Sequence, residues 1–114
     1  MIISMNEKVH IITRRLFDGD MQRHFVGVVE EATGEAIRVT GYAYIYDQAS
    51  GEFARRKNKR TRIFGLTDAG LIVNVLPQTV DLENLRYVMD ASGNRIITDD
   101  HGFEMNVSEF GSWR

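Results

Sequence analysis

The stretch AIRVTGYAYIYD, residues 36–47, decides the fold class of this chain. Its apolar and polar side chains alternate, and strands favour the β-branched and aromatic residues that fill it: Ile37, Val39, Tyr42, Tyr44, Ile45 and Tyr46. Turn-forming residues bound it on both sides, with Thr33-Gly34 before it and Gln48-Ala49-Ser50-Gly51 after it. The stretch therefore predicts a strand over Ala36–Asp47 between two hairpin turns.

The same alternation of short apolar segments and turn residues extends along the rest of the chain. Further strands are predicted over Lys8–Phe17, Gln22–Glu31, Phe53–Phe64 with a break near Asn58, Leu71–Leu76, Leu85–Met89, Arg95–Thr98 and Phe103–Phe110. One helical turn is predicted at Val80–Asn84, with Asp81 near its start. We expect one all-β domain over residues 1–114, an antiparallel meander of about seven or eight strands forming a small barrel or sandwich.

Length and composition exclude several classes of protein. The chain has 114 residues, of which 43% are hydrophobic and 26% are charged, as in ordinary globular domains. It has no cysteine, which excludes disulfides, thiolate catalysis and cysteine-based metal sites. No apolar run approaches the roughly 20 residues of a membrane span, and the first residues lack a signal-peptide pattern. We therefore expect a cytoplasmic protein without membrane contact.

Turn positions predict one unusual sheet face. A turn centred on Gly19 and a hairpin at Thr33-Gly34 place Phe25 opposite Tyr42. The predicted face collects Arg15, Arg23, Phe25, Tyr42 and Tyr44. Tyr and Arg are enriched at subunit interfaces, so self-association into a homo-oligomer is the leading hypothesis. Aromatic rings beside guanidinium groups also suit unpaired bases, so single-stranded nucleic acid or another polyanion is the alternative partner.

The opposite face in this register is compact and aliphatic, which predicts the core. It collects Ile12, Leu16, Val26, Val28, Ile37, Val39, Gly41, Ala43 and Ile45.

Positive charge is concentrated in residues 55–62. Six of these eight residues are basic: Arg55, Arg56, Lys57, Lys59, Arg60 and Arg62. Residues 1–62 carry eleven Lys and Arg against eight Asp and Glu, whereas residues 63–114 carry three against eight. The basic run is either an anion-binding edge or a solvated edge strand whose charges prevent edge-to-edge pairing, and we favour the second interpretation.

No motif predicts catalysis, a metal or a cofactor. The predicted register keeps His10 and His24 apart, and Asp99-Asp100-His101 is typical of a turn. The sequence contains no Gly-x-Ser-x-Gly elbow and no glycine-rich phosphate loop. We therefore expect a non-enzymatic binding or assembly module without a cofactor. A small barrel that encloses one small ligand is a third hypothesis.

Overall fold

The computed structural model describes residues 2–13, 23–47, 49–67 and 70–108, and this part of the chain forms strands and one short 3₁₀ helix. The strands are β1 Lys8–Thr13, β2 Arg23–Ala32, β3 Ala36–Asp47, β4 Glu52–Arg55, β5 Arg60–Gly65, β6 Leu71–Leu76, β7 Arg86–Met89, β8 Arg95–Thr98 and β9 Glu104–Asn106. The 3₁₀ helix spans Leu82–Asn84, and the Asp81 side chain caps it by accepting from the Glu83 N–H. The all-β prediction is confirmed, and the predicted bounds of β3, β6 and β8 match the observed ones.

The strands form two antiparallel sheets. The larger sheet has the order β4–β3–β2–β1–β6, and β5 also pairs with β3; the smaller sheet has the order β7–β8–β9. Because β2 occupies one edge of β3, both β4 and β5 lie along the other edge. Residues 56–59 bulge out between them, and the Arg56 N–H donates to the Ala43 carbonyl over 2.8 Å. The predicted break near Asn58 is therefore this bulge, and the basic run belongs to an edge of the sheet.

Both faces of the larger sheet carry apolar side chains. The docked face packs against the smaller sheet, in a cluster of Val26, Tyr44, Phe53, Leu76, Val80, Leu85, Ile97 and Val107. The open face holds a second cluster of Val9, Ile11, Phe25, Val29, Ile37, Val39 and Ala43. Among the described residues, no strand of the smaller sheet contributes to this second cluster. The two clusters thus lie on opposite sides of β2 and β3.

A hydrogen bond from Tyr44 connects the two layers at the docked face. The side chain is 2% exposed, and its hydroxyl donates to the Leu85 carbonyl over 2.8 Å. Burial raises the pKa of this hydroxyl to about 12, so it stays protonated and remains a donor. This geometry explains why a tyrosine with its polar end in the core is tolerated.

Replacing Tyr44 with Phe is expected to lower the free energy of unfolding by about 1–2 kcal/mol, because the buried Leu85 carbonyl loses its partner. Urea unfolding followed by circular dichroism measures this change. Tyr42→Phe is the matched control, since the Tyr42 hydroxyl bonds to the exposed Glu83 carboxylate, which water can solvate instead. Equal losses in the two variants would contradict the role of the Leu85 hydrogen bond.

The predicted register of β2 against β3 is wrong. Phe25 lies opposite Ala43, and Val26 lies opposite Tyr42. The two-residue loop is Gly34-Glu35, closed by the Thr33 N–H to the Ala36 carbonyl, one residue later than predicted. An extra residue, Glu30, then shifts the register between Val29 and Glu31.

The predicted aromatic and arginine face therefore does not form. Phe25 lies on the open face, whereas Tyr44 lies on the docked face and Tyr42 packs at its margin. The predicted aliphatic core face is divided in the same way, since Val26 belongs to the docked face and Ile37, Val39 and Ala43 to the open face. Arg15 and Leu16 lie outside the described residues.

Candidate functional site

A cleft of about 510 Å³ lies on the open face, at the end where β1 stops and β2 starts. Four cross-strand partners form a row there: Leu71, Thr13, Arg23 and Ile45. Phe25, Ala43 and Phe64 continue the lining toward the apolar cluster of the open face. The cleft thus has apolar residues from several strands in its floor.

Four arginines line this cleft: Arg23, Arg56, Arg60 and Arg62. All four are exposed, and no Asp or Glu is among the described residues of the lining. None of them forms an ion pair with a carboxylate in the described part of the chain. The cleft is therefore strongly electropositive, and low-dielectric walls concentrate such a field.

The geometry of the edge strand brings these arginines together. Side chains alternate along a strand, so Arg60, Arg62 and Phe64 share one side of β5. Phe64 packs on the cluster of the open face, with its ring centroid 5.4 Å from that of Phe25, which fixes that side as the cleft side. A bulge re-aims side chains relative to a regular strand, and the bulge at 56–59 lets Arg56 join the same lining.

Two other residues of the basic run have a structural role on the opposite side of the sheet. The Arg55 guanidinium lies 4.5 Å from the Tyr42 ring centroid and donates to the Glu83 carbonyl over 2.7 Å. Lys59 lies 5.6 Å from the same centroid and 3.1 Å from the Glu83 carboxylate. The Tyr42 hydroxyl and Lys59 lower the pKa of Glu83 by stabilising its charged form. These contacts attach the end of β4 and the bulge that follows it to the 3₁₀ helix.

The structure thus divides the sequence-predicted site residues into three groups. Arg23, Phe25, Arg56, Arg60 and Arg62 meet in the cleft. Tyr42, Tyr44, Arg55 and Lys59 contribute to contacts with the 3₁₀ helix and the smaller sheet. Lys57 lies exposed in the bulge, and Arg15 lies outside the described residues.

The lining includes several residues that the sequence interpretation left out of the site, and Phe64 is one for which the sequence carried a signal. It was assigned only as the end of a strand, although its spacing from Arg60 and Arg62 already placed the three on one side.

A buried polar cluster joins the two sheets on the docked face. His10 Nε2 lies 3.0 Å from His24 Nδ1 and 3.1 Å from the Tyr87 hydroxyl, which lies 2.6 Å from His24 Nδ1. Asn74 Nδ2 donates to His10 Nδ1 over 3.2 Å, so the His10 proton resides on Nε2. The His10 Nε2–H then donates to the Tyr87 hydroxyl oxygen, and that hydroxyl donates to His24 Nδ1, an arrangement that both imidazoles satisfy in the neutral form.

Burial explains why these imidazoles stay neutral. His10 is fully buried and His24 is 4% exposed. Desolvation lowers the pKa of His10 to about 4. The pKa of His24 is lowered to about 3, first by desolvation and then by the positive charges of protonated His10 and of Arg95. The prediction that the two histidines lie apart is wrong, because β1 and β2 pair two residues out of the predicted register and His24 becomes a diagonal neighbour of His10.

The described residues contain no group of three or more His, Cys, Asp or Glu side chains that could hold a metal ion. They also contain no helix that is long and apolar enough to cross a membrane. The described lining of the cleft, with four arginines and no carboxylate, would attract negative charge. Comparison with protein-family models, with curated proteins and with solved structures finds no match to this chain.

Proposed function

We propose that this protein is a binding module for a small anionic ligand, which occupies the arginine-lined cleft of the open face. The observation that carries the proposal is the convergence of Arg23, Arg56, Arg60 and Arg62 on one cleft without a carboxylate in its described lining. Like charges gathered in this way repel one another, and a bound anion relieves that repulsion. Guanidinium groups also present several N–H donors in a planar fork that matches carboxylate and phosphate oxygens.

The dimensions of the cleft favour a small molecule. Ligand pockets commonly enclose about 300–1,000 Å³, and this cleft encloses about 510 Å³. Its lining combines apolar side chains with four arginines, so it offers both apolar contact and charge to a small ligand. This supports the third hypothesis from the sequence, ligand binding, although the proposed cleft does not require a closed barrel.

The aromatic residues give less support to the other two hypotheses. Arg55 and Lys59 cover the Tyr42 ring, and Tyr44 is buried with its hydroxyl bonded to Leu85. Neither ring is therefore free to stack on a nucleic-acid base or to contact a second copy of the chain. Phe25 lies on the opposite face from Tyr44, so the rings that the nucleic-acid hypothesis requires do not share one stacking platform.

Pyrophosphate is expected to bind wild-type protein at low ionic strength, with the largest amide shifts in β5 and at the start of β2. Substituting Arg60→Gln and Arg62→Gln together is expected to weaken this binding about tenfold or more, because two charge-assisted contacts are lost. Titration followed by ¹H–¹⁵N correlation spectra measures both the affinity and the location. Lys57→Gln is the matched control, since Lys57 lies in the same basic run but outside the lining of the cleft.

The proposal fails if pyrophosphate causes no shifts, or if Lys57→Gln weakens binding as much as the cleft variant does. A twelve-nucleotide oligothymidylate provides a second arm of the experiment. If it binds far more tightly than pyrophosphate and its amide shifts extend along the whole basic run, the polyanion hypothesis replaces the small-ligand proposal.

A further inference from the structure

We infer that the ligand of the cleft is an amphiphilic anion, with one acidic head group and an apolar ring or chain; this inference rests on the proposed function. Along β5 the charged side chains of the cleft precede an apolar one, which is the observation that distinguishes this ligand class. Arg60 and Arg62 come first along β5, and Phe64 follows on the same side of the strand. An amphiphile presents the same order of charge and apolar surface.

The apolar end of the cleft is a platform that the protein itself leaves incompletely covered. Phe64 and Leu71 are only partly buried, although both pack against the cluster of the open face. The Phe64 ring lies against the buried Phe25 ring, with a centroid distance of 5.4 Å, and its exposed part faces the cleft. A ligand ring or chain placed there would remove apolar surface from water, as the smaller sheet does on the docked face.

The charged end has the donors for a single acidic head. Arg60 and Arg62 lie two residues apart on one side of β5. From Arg60 to Phe64 the strand rises about 13 Å. That span suits a molecule of two fused or linked rings with a carboxylate, sulfonate or phosphate at one end.

Each half of the cleft alone favours a different ligand, and only an amphiphile satisfies both. An inorganic anion would leave the partly buried Phe64 and Leu71 side chains in contact with water. A neutral apolar molecule would have to lie beside guanidinium groups that receive no compensating charge, and such burial is unfavourable.

A matched pair of fluorescent probes tests this inference. The probe 8-anilino-1-naphthalenesulfonate carries one sulfonate, and N-phenyl-1-naphthylamine has the same rings without it. We expect the sulfonate to bind wild-type protein at least about tenfold more tightly than the neutral probe at low ionic strength. The double variant Arg60→Gln, Arg62→Gln is expected to abolish that difference and to leave the affinity for the neutral probe within about twofold.

Variants of the apolar platform complete the test. Phe64→Ala is expected to weaken both probes about tenfold, whereas Val75→Ala, which removes an exposed valine from β6, leaves both unchanged. Amide spectra establish that each variant is folded. If Phe64→Ala is not, Phe64→Leu takes its place, with an expected loss of about threefold because the aromatic contact is removed.

The outcomes separate this inference from the proposed function. The inference would be overturned if wild-type protein bound the two probes with equal affinity, or if a folded Phe64 variant kept the wild-type affinity for them. In either case, pyrophosphate binding would still support anion recognition by the cleft. If pyrophosphate and the sulfonate probe both fail to bind, the proposed function and this inference are rejected together.

Discussion

Replacing Gly41 with Ala is expected to lower the free energy of unfolding by about 3 kcal/mol or more. Gly41 lies directly opposite Gly27 in the antiparallel pairing of β2 with β3. A Cβ atom on Gly41 would overlap the Val26 carbonyl oxygen and would lie 2.5 Å from the Gly27 Cα atom. These are backbone atoms, so no side-chain rotation relieves the overlap and the two strands must separate.

Urea unfolding of Gly41→Ala measures the effect, and Gly34→Ala provides the control. Gly34 lies in the hairpin loop between β2 and β3, and an added Cβ atom meets nothing within 4 Å. Its substitution is expected to change the free energy of unfolding by no more than about 0.5 kcal/mol. A Gly41→Ala variant as stable as Gly34→Ala would show that β2 and β3 do not approach as closely as described.

Lowering the pH from 7 to 5 is expected to reduce the free energy of unfolding by about 4 kcal/mol. The folded-state pKa values of His10 and His24, about 4 and about 3, lie below the ordinary value of 6.5. The folded state therefore favours the neutral imidazoles, and their stabilising contribution is fully present above pH 6.5. As the pH falls below 6.5, the unfolded chain binds protons that the folded protein rejects, and stability is lost until the folded pKa values are reached.

The physical cause is the placement of the two rings between the sheets. Protonation of both would bring two cations to a nitrogen–nitrogen separation of 3.0 Å in a buried site. The titratable and charged groups around them in the described part of the chain are Tyr87 and Arg95, and neither supplies a negative charge near neutral pH. Separation of the smaller sheet would admit water to the rings.

Chemical denaturation at a series of pH values tests this expectation. His24→Gln is expected to remove about half of the pH dependence, and His101→Gln, which alters an exposed histidine 3.8 Å from Asp81, is expected to retain all of it. Asp99 and Asp100 have lowered pKa values because hydrogen bonds stabilise their charged forms, so they contribute to acid unfolding below about pH 4. A constant stability of the wild-type protein between pH 7 and pH 5 would contradict the burial of neutral histidines.

The sequence predicted the strands better than it predicted their pairing. Alternation and turn residues act locally, so the bounds of β3 over Ala36–Asp47 followed from the sequence directly. Register depends instead on single insertions. The later hairpin loop alone would have kept Phe25 on the same face as Tyr44, but the extra residue Glu30 in β2 moved it to the other face. No local feature of the sequence marks that bulge.

The candidate site shows the same division between local and long-range information. The basic run was evident in the sequence, but its six charges looked equivalent. Only the pairing of β4 and β5 with β3 separates Arg60 and Arg62, which line the cleft, from Arg55 and Lys59, which pack on Tyr42. The contact between His10 and His24 was not predicted for a related reason. It depends on the register of β1 against β2, and a shift of two residues decides whether the rings meet.

The two apolar faces of the central strands have a consequence for how this chain tolerates change. Many antiparallel sheets keep one face in water, and substitutions on that face are often neutral. In β3, Ile37, Val39 and Ala43 face one hydrophobic cluster while Tyr44 faces the other. Natural variation in this chain is therefore expected to accumulate in the edge strands and loops, and a library randomised within β3 is expected to yield few folded members.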